Sequence, residues 1–169
     1  NVFFDEDATF GKSWGMNDYM ERTGKQLIIV GVECNHQGNC RLSEYSPVTF
    51  ENAELGKIRG RGSTTMNWMV NELKPYIDEH FRTLPDRRNT ILAGSSMGGL
   101  MALYGATAYN SVFQRAACLS PSLWVAPGKV MELIAKARIR PDTTIYMDYG
   151  ENEMANHVAS QAVIPSAAY

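Results

Sequence analysis

The spacing of apolar residues changes period several times along the chain, and each change marks an element. Residues 26–32, with Leu27, Ile28, Ile29, Val30 and Val32 in near-continuous succession, predict a strand buried on both faces. From 64 to 81 the period becomes helical: Met66, Met69, Val70, Leu73, Tyr76, Ile77 and Phe81 share one face, and Pro75 predicts a kink or a restart. Residues 90–94 read as a second strand and 97–109 as a helix. A third strand follows at 115–120, then a helix at 128–139 with Val130, Leu133, Ile134 and Ala137 on one side, then a fourth strand at 143–149. Strands alternating with helices of this length require crossover connections. The pattern therefore predicts an α/β fold, a three-layer sandwich whose mainly parallel sheet is covered on both faces. Such sheets carry their chemistry beyond the carboxyl ends of the strands. Residues 1–10 and 155–169 show no clear period.

Composition narrows the picture. A chain of 169 residues is expected to be one domain spanning 1–169, and 44% hydrophobic with 20% charged residues is ordinary for a globular protein. The net charge of −2 supplies no basic field for phosphates, so nucleic acid is not an expected partner. Residues 89–114 carry no charge and are long enough to cross a bilayer, but the glycines at 94, 98 and 99 split them into a strand and a helix. The reading is a buried strand and helix, with no membrane span. Cys34, Cys40 and Cys118 are too few for a disulfide scaffold, and free thiols favour a cytoplasmic protein. The cluster of Cys34, His36 and Cys40 lacks a fourth ligand and a usual metal spacing, leaving a Cys34–Cys40 loop disulfide as the alternative to free thiols; no metal is expected. Because the chain starts at Asn1, a leader peptide was either removed or never present.

The chemistry concentrates at Gly94-Ser95-Ser96-Met97-Gly98, a Gly-x-Ser-x-Gly pattern with an apolar strand before it and a helix after it. In such an elbow the serine is held in strained backbone, so Ser96 Oγ is presented and the Met97 N–H faces a developing oxyanion. Gly94 and Gly98 are both expected to be required because a Cβ at either would meet neighbouring backbone. A phosphate-binding loop would want a lysine after the second glycine of the pair at 98–99, and Leu100 stands there instead.

A serine of ordinary acidity needs a base, and the base needs an orienting carboxylate. In the chain order of this architecture the acid follows the serine after a later strand, which selects Glu153, with Asp148 as the alternative at the strand end itself. A histidine should follow the acid. Only His157 does, four residues on, too close for an intervening strand. His80 reads as a helix-end residue ahead of the nucleophile, and His36 as a loop residue in the wrong order. The usual histidine segment is therefore expected outside these residues.

The stretches 71–83, 94–100 and 119–124 resemble the "putative esterase" family of α/β-hydrolases, which groups enterochelin esterases, feruloyl and acetylxylan esterases, S-formylglutathione hydrolases (esterase D-like) and mycolyltransferases. The similarity runs from about residue 1 to 153, is most specific over 71–99, and looks nearest to the enterochelin-esterase-like branch. It implies an α/β-hydrolase fold without the family's first strands and carboxyl-terminal histidine segment. It also implies Ser96 as nucleophile, Met97 N–H as one oxyanion donor and Glu153 as the acid. Arg41 and Tyr45 match an Arg-x-x-Glu-Tyr-x-Pro loop, as either substrate contacts or a loop-fixing pair. Trp124, beyond the third strand, is either a wall of the substrate pocket or a core aromatic.

The resulting expectation is a serine hydrolase acting on carboxylic esters through an acyl-enzyme on Ser96, with no cofactor and a small-molecule ester as its partner. Hydrolase versus acyltransferase, the natural ester and homo-oligomer formation stay open. Two rivals come from other classes. One is a non-catalytic domain that keeps the fold for binding or structure, favoured by the histidine problem; the other is a flavodoxin-like nucleotide domain, which leaves the serine elbow unexplained.

Overall fold

The computed structural model describes residues 13–150, so Glu153 and His157 lie outside the described residues. The described residues divide between Asn35 and His36 into two compact units. In the first, helix α1 (Met16–Thr23) runs between two glycines in left-handed backbone, and Gly24 closes it by donating its N–H to the Met20 carbonyl. The strand predicted at 26–32 does not form: these residues adopt no regular structure, and Leu27, Ile28 and Val30 are exposed. Apolar β-branched composition favours a strand only where a neighbour completes its ladder, and neither described sheet includes this run.

The second unit opens with helix α2 (Cys40–Glu44) and a hairpin of β1 (Phe50–Asn52) and β2 (Gly56–Ile58). The hairpin turns because Asn52 Oδ1 accepts the N–H groups of Glu54 and Leu55 while Gly56 takes φ +67°. Phe50 and Ile58 lie directly opposite each other and both are buried. The helical period at 64–81 resolves into α3 (Gly62–Trp68), a π-helical turn (Met69–Leu73) and α4 (Lys74–His80), with Pro75 in the first turn of α4. Proline lacks an N–H and its ring crowds the carbonyl four residues back, so the wider π turn sits where a regular helix would clash.

Strands β3 (Ile91–Ser95), β4 (Arg115–Leu119) and β5 (Thr144–Asp148) form an all-parallel sheet in that order. The crossovers are α5 (Met97–Ala108) and α6 (Pro127–Lys136). Strands that add in one direction through right-handed crossovers place their helices on one face. That face is defined by Leu92, Ala116, Cys118, Ile145 and Met147, packed against Ala102, Leu103 and Ala106 of α5 and Ile134 of α6. On the opposite face Ile91 and Tyr146 remain 50% and 56% exposed. Helix α5 is buried around most of its circumference, which explains its uncharged composition: Leu100 and Met97 join one core cluster, Ala102 and Leu103 a second, and Met101 packs with Met66 and Phe113 in a third. No helix of the described residues is long and apolar enough to cross a membrane.

Opposite the carboxyl ends of the strands, Arg87 ties the sheet together. Its side chain donates to the carbonyl of Asn110, to the Thr143 hydroxyl and to Asp142 at 2.7 Å, while Asn110 Nδ2 reaches the carbonyl of Ala106 and the Thr143 hydroxyl. This network fixes the chain where it enters β4 and β5, leaving the far ends of the strands free for the site.

Candidate active site

Ser96 sits between β3 and α5 with φ +57° and ψ −120°, a conformation L-residues rarely adopt. Three hydrogen bonds hold its backbone there. Its N–H donates to Leu119 O of the neighbouring strand at 3.0 Å, and its carbonyl accepts from the N–H groups of Leu100 and Ser122, each at 3.0 Å. The tightness of the turn is visible in its glycines. A Cβ on Gly94 would lie 2.4 Å from the Gly98 backbone, and one on Gly99 would lie 3.0 Å from Leu119 O and 3.1 Å from Pro121 Cα. Gly98 differs from expectation: a Cβ there would meet nothing within 4 Å. The position closed to a Cβ is therefore 94, with 99 tight, because Gly94 presses on the backbone of residue 98 while the Cβ position of residue 98 itself points to open space.

Met97 follows as the first residue of α5 and its side chain is buried. The N–H groups of a helix's first turn have no intrahelical acceptor, so the Met97 N–H is of the kind that stabilises an anion at this end. Ser96 Oγ lies 3.1 Å from Ser122 Oγ, and Ser122 is 2% exposed. Ser122 has no part in the site expected from the sequence. Its signal was present in Ser120-Pro121-Ser122, placed at the carboxyl end of the strand adjoining the nucleophile's.

Asp148 ends β5. Its Oδ1 accepts the Ser120 N–H at 3.0 Å and its Oδ2 accepts the Tyr146 hydroxyl at 3.0 Å. The latter bond, with the nearby carboxylate charge, raises the Tyr146 hydroxyl above its ordinary pKa. Both carboxylate oxygens of Asp148 thus have a structural task. Trp124 lies in a short 3-10 turn (Leu123–Val125) and is 41% exposed, which separates it from the core.

Arg41 and Tyr45 stand one turn apart, the Tyr45 N–H donating to Arg41 O at 3.0 Å. Arg41 is exposed, whereas Tyr45 packs partly buried against the clusters that contain Met97 and Met101. Of the described histidines, His36 is exposed, and His80 ends α4 with Nδ1 2.8 Å from Tyr76 O and its ring stacked on Tyr76 at 4.1 Å. Cys34, Cys40 and Cys118 are free thiols in this structure. Among the described residues no group of three or more His, Cys, Asp or Glu side chains could hold a metal ion.

A family model described as "Putative esterase" matches residues 7–167. The uncharacterized protein YbbA of Bacillus subtilis (strain 168) is 24% identical over 131 residues, 76% of this chain and 50% of that protein, so the chain spans about half the length of this relative. Among solved structures, the BES protein from Bacillus cereus superposes with TM-score 0.59 at 21% identity, covering 86% of this chain and 62% of that one. The IroE-like serine hydrolase from Shewanella oneidensis gives 0.52 at 22% identity, over 63% of this chain and 36% of its own. The siderophore hydrolase EstA from Aspergillus nidulans gives 0.54 at 18% identity, over 75% and 45%.

Proposed function

The chain belongs to the "Putative esterase" family of α/β-hydrolase fold, and on that premise we propose that it is a serine esterase acting on small-molecule carboxylic esters. The observation that carries this reading is the backbone of Ser96, forced to φ +57° between a strand and a buried helix. Strain of this kind persists only where surrounding structure imposes it, and it clusters at reactive positions.

In the proposed reaction Ser96 Oγ attacks the ester carbonyl carbon while its proton passes to a histidine. The oxyanion is held by the Met97 N–H. Collapse of the tetrahedral intermediate breaks the bond to the alkoxy leaving group, which takes the proton from the histidine. Water then attacks the acyl-enzyme with the same base assisting, releasing the acid and restoring Ser96. Glu153 orients the histidine; the two structural bonds of Asp148 favour this assignment over Asp148. His157 is the one histidine that follows Glu153 in the chain. Exposure of Trp124 supports its reading as a substrate-pocket wall, and Arg41, exposed on α2, is the member of its pair free to meet substrate, with Tyr45 fixing the loop. Siderophores, the substrate class in the name of the Aspergillus nidulans hydrolase EstA, set the first substrates to try.

The test is fluorophosphonate labelling followed by intact mass and peptide mapping. Stoichiometric modification of Ser96, lost in Ser96→Ala, is expected. Loss in His157→Ala as well would make His157 the base. A folded full-length protein that leaves the probe unreacted overturns the reading in favour of a fold used for binding.

A further inference from the structure

The segment that follows β4 is pinned at more points than a connecting loop needs. Ser120, at φ +44°, donates its N–H to both the carbonyl and the Oδ1 of Asp148, at 3.1 and 3.0 Å. Pro121 O accepts the Tyr149 hydroxyl at 3.1 Å. Ser122 donates its N–H to Ser96 O at 3.0 Å, and its own carbonyl accepts from Val125. Gly99 leaves just enough room for Pro121 to press against the start of α5. Residues 120–122 are thereby clamped between the end of β5 and the elbow. What this clamp delivers to the elbow is one buried hydroxyl, Ser122 Oγ, 3.1 Å from Ser96 Oγ.

A hydroxyl buried to 2% exposure is costly unless it is bonded, and among the described residues the hydrogen bond it makes is to Ser96 Oγ. We infer that Ser122 is a positioning residue: its hydroxyl holds the Ser96 side chain in one rotamer and donates a hydrogen bond to Oγ while that atom carries charge. The inference rests on Ser96 being the nucleophile. At rest either hydroxyl can donate. Once the Ser96 proton has moved to the base only Ser122 retains a proton to give, so the direction of the bond is fixed during attack and again when Ser96 Oγ is expelled on deacylation. A separation of 3.1 Å is long for two neutral hydroxyls. A bond that is weak at rest and strengthens as Oγ becomes anionic lowers the barrier rather than stabilising the resting enzyme.

Two variants separate this role from packing. Ser122→Ala removes the hydroxyl, and Ser122→Cys fills the same space with a poor donor. Labelling of Ser96 by fluorophosphonate is expected to slow about tenfold or more in both, the least that one hydrogen bond to a charged oxygen contributes to a rate. Three-bond Hα–Hβ couplings of Ser96, which do not depend on turnover, are expected to report one χ1 rotamer in the wild type and averaging in both variants. Wild-type labelling rate in Ser122→Cys, or an unaltered single rotamer in Ser122→Ala, would overturn the proposal. Should the wild type itself fail to label, the esterase reading falls, and the couplings still decide whether Ser122 fixes Ser96.

Discussion

Asp148 Oδ1 accepts the backbone N–H of Ser120 at 3.0 Å, so the last residue of β5 holds the loop that touches the nucleophile. This gives Asp148 a mechanical role at the site. Asp148→Ala should loosen residues 120–122, slowing fluorophosphonate labelling severalfold and lowering stability by about 1 kcal/mol, the worth of the lost hydrogen bonds. Asp148→Asn, which keeps an acceptor oxygen for Ser120, should recover most of both. If labelling in Asp148→Asn fell by the several orders of magnitude associated with loss of a triad member, Asp148 would be the acid and Glu153 would not.

The elbow glycines give an unequal pair of outcomes. Gly94→Ala places a methyl 2.4 Å from the Gly98 backbone and should prevent a stable fold, since backbone on both sides cannot yield. Gly98→Ala meets no atom within 4 Å, and residue 98 lies in α5 with no positive φ. Alanine's helix preference should make that variant as stable as the wild type or up to about 0.5 kcal/mol more so. Urea denaturation of the two proteins checks both; marked destabilisation by Gly98→Ala would show that the elbow is packed more closely than it appears.

The sheet and its crossovers were readable from sequence because their signals are local. An apolar run bounded by Gly94 gives β3, and the charge-free helix after it gives α5, whose buried circumference left no polar face to select. The run at 26–32 carried an equally strong signal without forming a strand, because composition records propensity and says nothing of the neighbour needed for a ladder. The hairpin at 50–58 was missed for the opposite reason: its strands are three residues each, and its turn depends on the Asn52 side chain rather than on a two-residue glycine turn. At the site, the Gly-x-Ser-x-Gly spacing pointed to Ser96, whereas Ser122 is 26 residues away and becomes its partner only through the parallel register of β3 and β4. Spacing along one strand is legible, but contact between strands is not.

The three thiols should differ sharply in reactivity. Cys118 is fully buried in the sheet-facing cluster, and burial pushes its pKa up to about 12. At pH 8 almost none of it is thiolate, the reactive form. Cys34 and Cys40 are partly exposed free thiols. Titration with a disulfide reagent under native conditions should therefore count two thiols, and a third only after denaturation. Rapid reaction of all three would mean that β4 opens readily or that Cys118 is not packed as described.

The Arg87 network should be one source of acid sensitivity. A hydrogen bond from Arg87 holds the Asp142 carboxyl below its ordinary pKa, outweighing desolvation. Asp78 is also lowered: burial pushes it up, but hydrogen bonds from Lys74 and Thr83 and the lysine's charge together outweigh that. A carboxyl whose pKa is lower folded than unfolded contributes stability above its unfolded value, near 4, and loses it as pH falls through the folded value. The urea midpoint of the wild type should therefore drop between about pH 5 and pH 3. Glu132 is lowered as well, by its hydrogen bond from Lys136, so Asp142→Asn removes one of three such titrations and should flatten part of that drop while lowering stability at neutral pH, where its charge on Arg87 is lost. Arg87→Ala should cost more at neutral pH, about 2 kcal/mol, because the Arg87 side chain is 8% exposed and its loss strips donors from Asn110, Thr143 and Asp142 together. An Asp142→Asn protein with the full wild-type acid slope would place the titrating groups elsewhere and remove Arg87–Asp142 as an acid-labile contact.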